Sequence, residues 1–528
     1  MTLSLSRRGF IGRVFGTTVA PSILMPITQR PAVESSLADS MFPPTEITPT
    51  DPRYQAKAMG FNQRFVGAPK YIQVCGTTDQ VLKTVQRAVD ENLRITIRGG
   101  GHCYEEFVSD NPGGVIIDLS SMRKVYRDPD TNGAFCVEGG CTLWNVYTQL
   151  YDEYGVTIPA GSCYSIGVGG HVCGGGYGLL SRKHGLTVDH LYAIEVVCVD
   201  ANDRASVVKA FWNDPDVKRR KLFWGHTGGG GGNFGVITRY WFSPSIPQAP
   251  ETAYLSSVAW DWSSVSEGAF ATLLSNYGQF FSSRSGVDDP YRDLSSVLSL
   301  PHVSAHQIVL TTQFVGNDVR LLEEFITFMS RGVGAPRPPL HPVGCHAVIR
   351  QSEPYRLMPW IQAMQTLNEA GPNQRGKYKS AYMNAPFPER QITAIWRALT
   401  DHNYQNPQAR LQVDSYGCQI NAVSPSSTAV AQRSSIMKLQ YQTHWADPRL
   451  DVCHLDWIRR FYTDVYADTD GAPRPNSVTD GCYVNYCDMD LTDWPTLYYK
   501  ENYSDLAAVK ALWDPSNKFH HAQSIRLP

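Results

Sequence analysis

This chain has no surplus of charge. Its 47 basic and 49 acidic residues leave a formal net charge of −2, so no broad cationic field exists to hold nucleic acid or an anionic membrane. No nucleic-acid partner is expected. Charged residues make up only 18% of the 528 positions while aromatics reach 11%, a balance that argues against a disordered chain and for folded, aromatic-rich domains. CxxC pairs are missing: the closest cysteines, Cys136 with Cys141 and Cys482 with Cys487, have four residues between them, which argues against structural zinc. His171, His226, His520 and His521 show no ligand spacing with a carboxylate or thiolate, so no metal is expected. Twelve cysteines in this length are too few for a disulfide scaffold; an exported chain has room for one or two bridges, and spacing alone pairs none. Internal repeats are absent. So are GxxxxGK(S/T), HExxH and GxSxG, which removes the usual support for ATP hydrolysis, zinc proteolysis and the α/β-hydrolase elbow. Beyond the N-terminus no stretch approaches the ~18 apolar residues needed to cross a bilayer, and no membrane partner is expected.

What is present begins with Ser6-Arg7-Arg8-Gly9-Phe10-Ile11, then an apolar small-residue stretch through Ile27 and Ser36-Leu37-Ala38. This resembles a twin-arginine export signal over residues 1–38 and predicts a periplasmic or extracellular protein, soluble after processing. That route carries folded proteins, which hints at a bound cofactor. The length predicts two or three domains at roughly 100 to 200 residues each. A helix is predicted from Thr77 to Asn92, with a capping box at Thr77 and Gln80 and with Val81, Val85 and Val89 on one face. Arg94–Arg98 alternates as a strand and runs into Gly99-Gly100-Gly101-His102. Strands at Val115–Asp118, Ala134–Glu138 and Ile194–Val199, with a helix near Leu143–Tyr151, complete a mixed α+β region over residues 65–245. Between 251 and 475 the pattern changes to strands (Ile308–Phe314, Leu411–Gly417, Ile436–Trp445) and amphipathic helices around Phe325 and Phe461. This predicts an antiparallel sheet backed by helices. The segment 476–528 is turn-rich and ends in a helix from Ser504 to Trp513.

Glycine is concentrated rather than spread: eight fall between Gly161 and Gly178 and seven between Gly225 and Gly235. Gly99-Gly100-Gly101, after a strand, lets backbone N–H groups approach a phosphate closely. The second cluster is backbone suited to lie flat along a large ligand. The third contains a formal GxGxxG at Gly230, Gly232 and Gly235, but Val236–Trp241 after it reads as a strand where a dinucleotide fingerprint requires a helix. NAD is rejected on that ground.

Taken together, Arg98–His102, Gly161–Gly178, Leu180–Asp189, Gly229–Val236, Val484–Asp488, Tyr498-Tyr499 and Asp514–Phe519 make the chain resemble the berberine bridge enzyme-like bicovalent flavoproteins of the vanillyl-alcohol oxidase superfamily. Among these it looks most like glycopeptide hexose oxidases. The match runs in family order from about residue 65 to the C-terminus. It implies an α+β fold with a two-part FAD-binding domain of the vanillyl-alcohol oxidase type over 65–245, a substrate domain over 251–475 and a C-terminal segment, 476–528, returning to the FAD domain. It also implies FAD linked through its 8α carbon to His102 and through C6 to Cys163. A neutral imidazole nitrogen and a thiolate are nucleophiles suited to an electrophilic ring. The cradle would comprise Arg98, Gly99, Gly100 and Gly101, then Gly161, Ser165, Ile166, Gly167, Gly169, Gly170, Gly174, Gly175 and Gly176, and finally Val236, Ile237 and Asn485.

Hydride transfer from an alcohol carbon to flavin N5 needs a base for the hydroxyl proton. Tyr486 occupies the position of the family's catalytic tyrosine. A free phenol has a pKa near ~10, so it needs neighbours that favour the phenolate. Period two puts Lys438 and Gln440 on one strand face, and Lys-x-Gln-Tyr resembles the family strand that enters the active site. Tyr486 is the leading base, supported by Tyr177, Lys438 and Gln440, with Tyr177 as the alternative base. Tyr382, Tyr416 and Trp445 are candidates to stack on a sugar, each weighed against a place in the core. The resemblance implies oxidation of a hydroxyl on a carbohydrate or glycosylated natural product, with O2 as acceptor and H2O2 as product, in a monomer or homodimer. Ile166 departs from the valine common in oxygen-using relatives. That keeps open a dehydrogenase with another acceptor, and a non-sugar secondary metabolite or phenolic alcohol as substrate. The remaining alternative is a glycan-binding protein with structural glycines.

Overall fold

The computed structural model describes residues 44–340, 354–368 and 371–528; the leader read over residues 1–38 lies outside them. Three sheets carry the chain. In the first, β1 (Thr45–Ile47) pairs antiparallel with β2 (Tyr71–Val74), while β2 and β3 (Ile95–Arg98) flank β4 (Val115–Asp118) in parallel. Parallel neighbours need a crossover, and α1 (Thr78–Asp90) supplies the one between β2 and β3. Thr77 Oγ1 accepts from the Gln80 N–H at 3.2 Å and Val81, Val85 and Val89 bury one face, as their spacing predicts. Gln80 Oε1 accepts from the Gly76 N–H at 2.7 Å, one residue before the cap.

The second sheet is antiparallel, in the order β5-β6-β9-β7-β8, from β5 (Val125–Asp128), β6 (Ala134–Glu138), β7 (Leu191–Val199), β8 (Ala205–Phe211) and β9 (Val236–Phe242). β9 leaves the third glycine cluster directly as a strand. Between β6 and β7, α2 (Leu143–Tyr154) starts at a Thr142–Asn145 capping box and stops at Gly155, whose φ of 65° suits glycine. The structure departs from flat backbone in the second glycine cluster. Val168–Cys173 winds into a six-residue helix, α3, because Val168, Val172 and Cys173 find buried seats.

The third sheet has seven antiparallel strands in the order β13-β10-β12-β11-β15-β16-β14: β10 (Thr252–Asp261), β11 (Leu294–Pro301), β12 (Gln307–Phe314), β13 (Tyr355–Pro359), β14 (Arg375–Met383), β15 (Arg410–Ser415) and β16 (Met437–Trp445). Helices α4 (Glu267–Ser282), α5 (Arg320–Ser330), α6 (Glu389–Leu399) and α7 (Asp451–Val465) back it. On β16, Met437, Leu439 and Tyr441 face those helices; the Tyr441 ring meets Phe461 and Tyr462 at 5.0 and 5.2 Å. Alternation turns Lys438, Gln440, Gln442 and His444 the other way. Tyr382, Tyr416 and Trp445 are 1%, 0% and 4% exposed and belong to the core.

The last helix, α8 (Tyr503–Trp513), ends at Asp514, which pairs with buried Lys510 at 2.5 Å and accepts from the Lys518 and Phe519 N–H groups. Phe519 then bridges to Ile95 of β3, so the C-terminal segment lies against the first sheet. The fold is α+β, with an antiparallel sheet backed by helices, as the sequence predicts. No described helix is long and apolar enough to cross a membrane.

Candidate active site

A cavity of about 620 Å³ is walled by the glycine-rich loops and by the polar face of the seven-stranded sheet. Its size lies within the ~300–1,000 Å³ of small-molecule and cofactor sites. The loops owe their closeness to missing side chains. A Cβ on Gly100 would stand 2.2 Å from Gly167 N, and one on Gly167 would stand 2.0 Å from Gly100 N. Gly169 approaches the Gly139 carbonyl in the same way (2.8 Å), and Gly99 less tightly (3.4 Å). Gly170 is different: a Cβ there would meet no protein atom within 4 Å, and the residue lines the cavity. This is glycine facing open space beside a packed loop, a cradle that fits a large planar cofactor.

Gly101, Gly161, Ile166, Ile237 and Asn485 also line the cavity. Of the other residues expected in the cradle, Ser165, Gly174, Gly175, Gly176 and Val236 do not line it. Gly174, Gly175 and Gly176 make room for the side chains of Asn485, Val430 and Thr187, which a Cβ would meet at 2.1, 2.6 and 2.3 Å. Val236 is wholly buried in the apolar core of the first sheet. Arg98 reaches the wall, but its guanidinium is engaged by Asp118 at 2.5 Å and by the carbonyls of Lys57 and Met59. It braces the loop. Ser165 stands behind the two expected tethers, its Oγ 2.8 Å from His102 Nε2 and 3.9 Å from Cys163 Sγ. His102 stacks on Phe61 at 4.4 Å, and burial pushes its pKa down to about 4, which keeps the imidazole neutral near pH 7.

Sheet register assembles the polar wall. β15 and β16 place Arg410 opposite Gln442, Gln412 opposite Gln440 and Asp414 opposite Lys438. Hydrogen bonds then run from Arg410 to Gln442 (3.2 Å), from Gln442 to Gln412 (3.1 Å) and Gln440 (2.9 Å), and from Gln412 to Asp414 (2.9 Å). Asp414 pairs with the fully buried Lys438 at 2.5 Å, and Lys438 Nζ donates to Tyr486 Oη at 3.0 Å. The same ammonium lies 4.4 Å from the Tyr486 ring centroid and 4.6 Å from that of Tyr177, close enough for cation–π attraction to both. Tyr177 uses its hydroxyl elsewhere, donating to the Ser415 carbonyl at 2.6 Å, and burial, with the Asp414 carboxylate, raises its pKa well above the ordinary phenol. Gln440 donates to Tyr104 Oη at 3.1 Å, and Tyr104 stacks on Tyr378 at 3.7 Å.

Several cavity residues escaped the sequence reading. Gly230, Gly231 and Gly232 line it although their motif fails for NAD, and Asp414, Gln412, Gln442, Arg410, Tyr104 and Tyr378 had no assigned role. The alternation Arg410-x-Gln412-x-Asp414 was the available signal, but it acquires meaning only beside Lys438-x-Gln440-x-Gln442. Gln313 of β12 is 1% exposed, lines the cavity, and neither end of its amide has a hydrogen-bond partner among the described residues. A buried amide in that condition is poised to meet a ligand.

Comparison with known proteins matches residues 69–202 to an FAD binding domain and residues 482–526 to the berberine and berberine-like domain. The chain is 40% identical to the aclacinomycin-N/aclacinomycin-A oxidase of Streptomyces galilaeus, over 99% of this chain and 98% of that protein. It is 35% identical to the hexose oxidase of Chondrus crispus, over 90% and 93%. The crystal structure of a glycopeptide hexose oxidase complexed with teicoplanin superposes with a TM-score of 0.85 at 39% identity, over 92% of this chain and 99% of that one.

Proposed function

Since this chain belongs to the berberine bridge enzyme-like FAD-linked oxidoreductases, enzymes acting on CH–OH groups, we propose that it oxidises a hydroxyl of a carbohydrate or glycosylated natural product. The Asp414–Lys438–Tyr486 line is the observation that carries this reading. It ends on the phenol oxygen of Tyr486, a residue of the cavity wall, beside a buried ammonium. When bound, FAD supplies the acceptor for the carbon-bound hydride and passes the electron pair to O2, giving H2O2.

The chain's own residues handle the proton and the pose. Tyr486 Oη takes the hydroxyl proton, and the Lys438 ammonium at 3.0 Å stabilises the negative charge that makes this oxygen a base. Asp414 holds Lys438 in place. Tyr177 contributes its ring, which covers the ammonium and excludes water; its hydroxyl proton stays on the Ser415 carbonyl side. His102 and Cys163 are the tethers, to the 8α and C6 positions. The hydrogen bond between Ser165 and His102 Nε2 supports a ring in which Nδ1 is the nitrogen left for alkylation. The Gln313 amide, without a partner at either end among the described residues, and the bonded Gln412–Gln440–Gln442 network form one polar wall, which supports a polyhydroxylated substrate over an apolar one. A reducing sugar would leave as a lactone and a primary alcohol as an aldehyde. The relatives named for hexose and for aclacinomycin oxidation support the same class. The twin-arginine-like leader supports export.

Anaerobic bleaching of the yellow cofactor by sugars or glycosylated antibiotics, and not by simple phenolic alcohols, is the expected result. Bleaching by phenolic alcohols alone would overturn the substrate class. Ile166, on the cavity wall, favours a second reading of the acceptor. If its bulk limits oxygen access, a dye acceptor will support faster turnover than air, and Ile166→Val will raise the rate of reoxidation by O2 several-fold.

A further inference from the structure

We propose that Cys103 and Cys487 form a reversible disulfide that clamps the His102 loop to the Tyr486 segment. Each cysteine directly follows a residue assigned above to the chemistry, and 384 positions separate them in the chain. In the fold their sulfurs lie 3.9 Å apart and both line the cavity. A disulfide needs about 2.05 Å between sulfurs, so side-chain rotation with small backbone adjustment has to close the gap.

The two segments are already held together next door. Lys377 is buried between Glu105, two residues after Cys103, and Asp488, one residue after Cys487. Lys379 pairs with Asp488 at 2.7 Å, and the Met489 N–H donates to Glu105 at 3.2 Å. This ionic cluster joins the two segments independently of the sulfurs. The pair is also chemically unequal. Cys103 is partly exposed where Cys487 is buried, and the Glu105 and Phe107 N–H groups beside the Cys103 sulfur favour its thiolate. Cys103 is therefore the attacking sulfur and Cys487 the resolving one.

The oxidant is a hydroperoxide, and H2O2 is the one that the oxidase reading above would release into this same cavity; the source of the oxidant alone rests on that reading. Cys103 sulfur attacks one peroxide oxygen, the O–O bond breaks, and the departing hydroxide takes a proton to leave as water. Cys487 sulfur then attacks the resulting sulfenic acid. The S–S bond forms, the S–O bond breaks, and the oxygen leaves with the Cys487 proton as a second water. Two thiols lose two electrons to the peroxide, and a dithiol reverses the step by exchange. Closing so long a loop restricts the unfolded chain and stabilises the fold.

The test uses the full-length, FAD-loaded protein without substrate, either reduced with dithiothreitol or then treated with added H2O2, alkylated and digested without reduction. The expected product is a peptide joining Cys103 to Cys487 in the oxidised sample, absent from the reduced one. Alkylation of both thiols after peroxide, sulfinic acid on Cys103, or a bridge from either residue to another cysteine would overturn the proposal. The oxidised protein should melt several degrees above the reduced one, and Cys487→Ser should abolish that difference; equal melting points in the unmutated protein would refute the clamp without any variant being needed. A colourless protein that still cross-links would sink the flavin reading and leave the clamp standing. A yellow protein that never cross-links would do the reverse.

Discussion

Tyr486 and Tyr177 are the same kind of side chain within reach of the same ammonium, and only their hydroxyls distinguish them. Lys438 donates to Tyr486 Oη, while Tyr177 Oη donates to a backbone carbonyl. Tyr486→Phe should slow flavin reduction by roughly 10²- to 10⁴-fold, the usual worth of a positioned base, with flavin content unchanged. Tyr177→Phe should cost less than about tenfold and about 1 kcal/mol of stability for the lost hydrogen bond. Anaerobic stopped-flow measurement of both variants checks this, and a larger rate loss in Tyr177→Phe would reverse the assignment. Lys438→Met should hurt twice. It removes the charge beside the proposed base and strands the buried Asp414 carboxylate, at a cost of about 3–5 kcal/mol; urea unfolding of the variant gives the second number. The tyrosine at the head of this group was legible as a motif. Its partner Asp414 was not, because a carboxylate at alternate spacing in a strand is ordinarily a solvated one.

At the scale of elements, the glycine loops and strand β16 show how one pattern supports two roles. Gly100 and Gly167 exist for mutual backbone contact, whereas Gly170 faces the cavity. Gly100→Ala must therefore push two loops apart, and it should yield little soluble, flavin-containing protein. Gly170→Ala should fold with a thermal midpoint close to that of the unmutated protein and yet carry less flavin, measured as the ratio of 450 nm to 280 nm absorbance (~450 nm being the flavin band). Normal flavin content in Gly170→Ala would remove that residue from the cradle. Strand β16 reads as one apolar and one polar face, which ordinarily means core on one side and water on the other. Every residue of β16 is in fact buried, because helices cover the first face and the glycine loops roof the second across the cavity. The predicted positions of α1, β4, β6 and β9 agree closely with the structure for a simpler reason: capping residues and apolar spacing act within one element and need no partner.

The whole molecule is a member of the vanillyl-alcohol oxidase-type flavoenzymes in fold, and its charge is managed by burial. His171 and His226 are buried in or beside the cavity, and desolvation pushes both pKa values down to about 4. Unfolded histidine titrates near ~6.5. As pH falls through ~6.5 the unfolded chain takes up protons that the folded one refuses, so stability declines from there until about pH 4, where the folded imidazoles protonate as well. Each buried imidazole is worth up to roughly 3 kcal/mol over that window, from about 1.4 kcal/mol per pH unit. Urea midpoints between pH 7 and 4 should fall accordingly, and His226→Gln should make the decline shallower. A flat profile in the unmutated protein would show that these rings are solvated.

The line between local and global information falls at a definite place in this chain. Order along the chain is readable in advance wherever a motif is contiguous: the helix capped at Thr77, the strand leaving Gly235, and the placing of His102, Cys163 and Tyr486 on the cavity wall. Each rests on neighbours within a few residues, and glycine and apolar spacing constrain those directly. Which polar groups meet was decided by the tertiary structure. Asp414, Lys438 and Tyr486 come from β15, β16 and the C-terminal segment, and Cys103 reaches Cys487 across 384 positions. Register, sheet coverage and the return of the chain bring them together, and no local pattern encodes those three, because each depends on what packs against the other face.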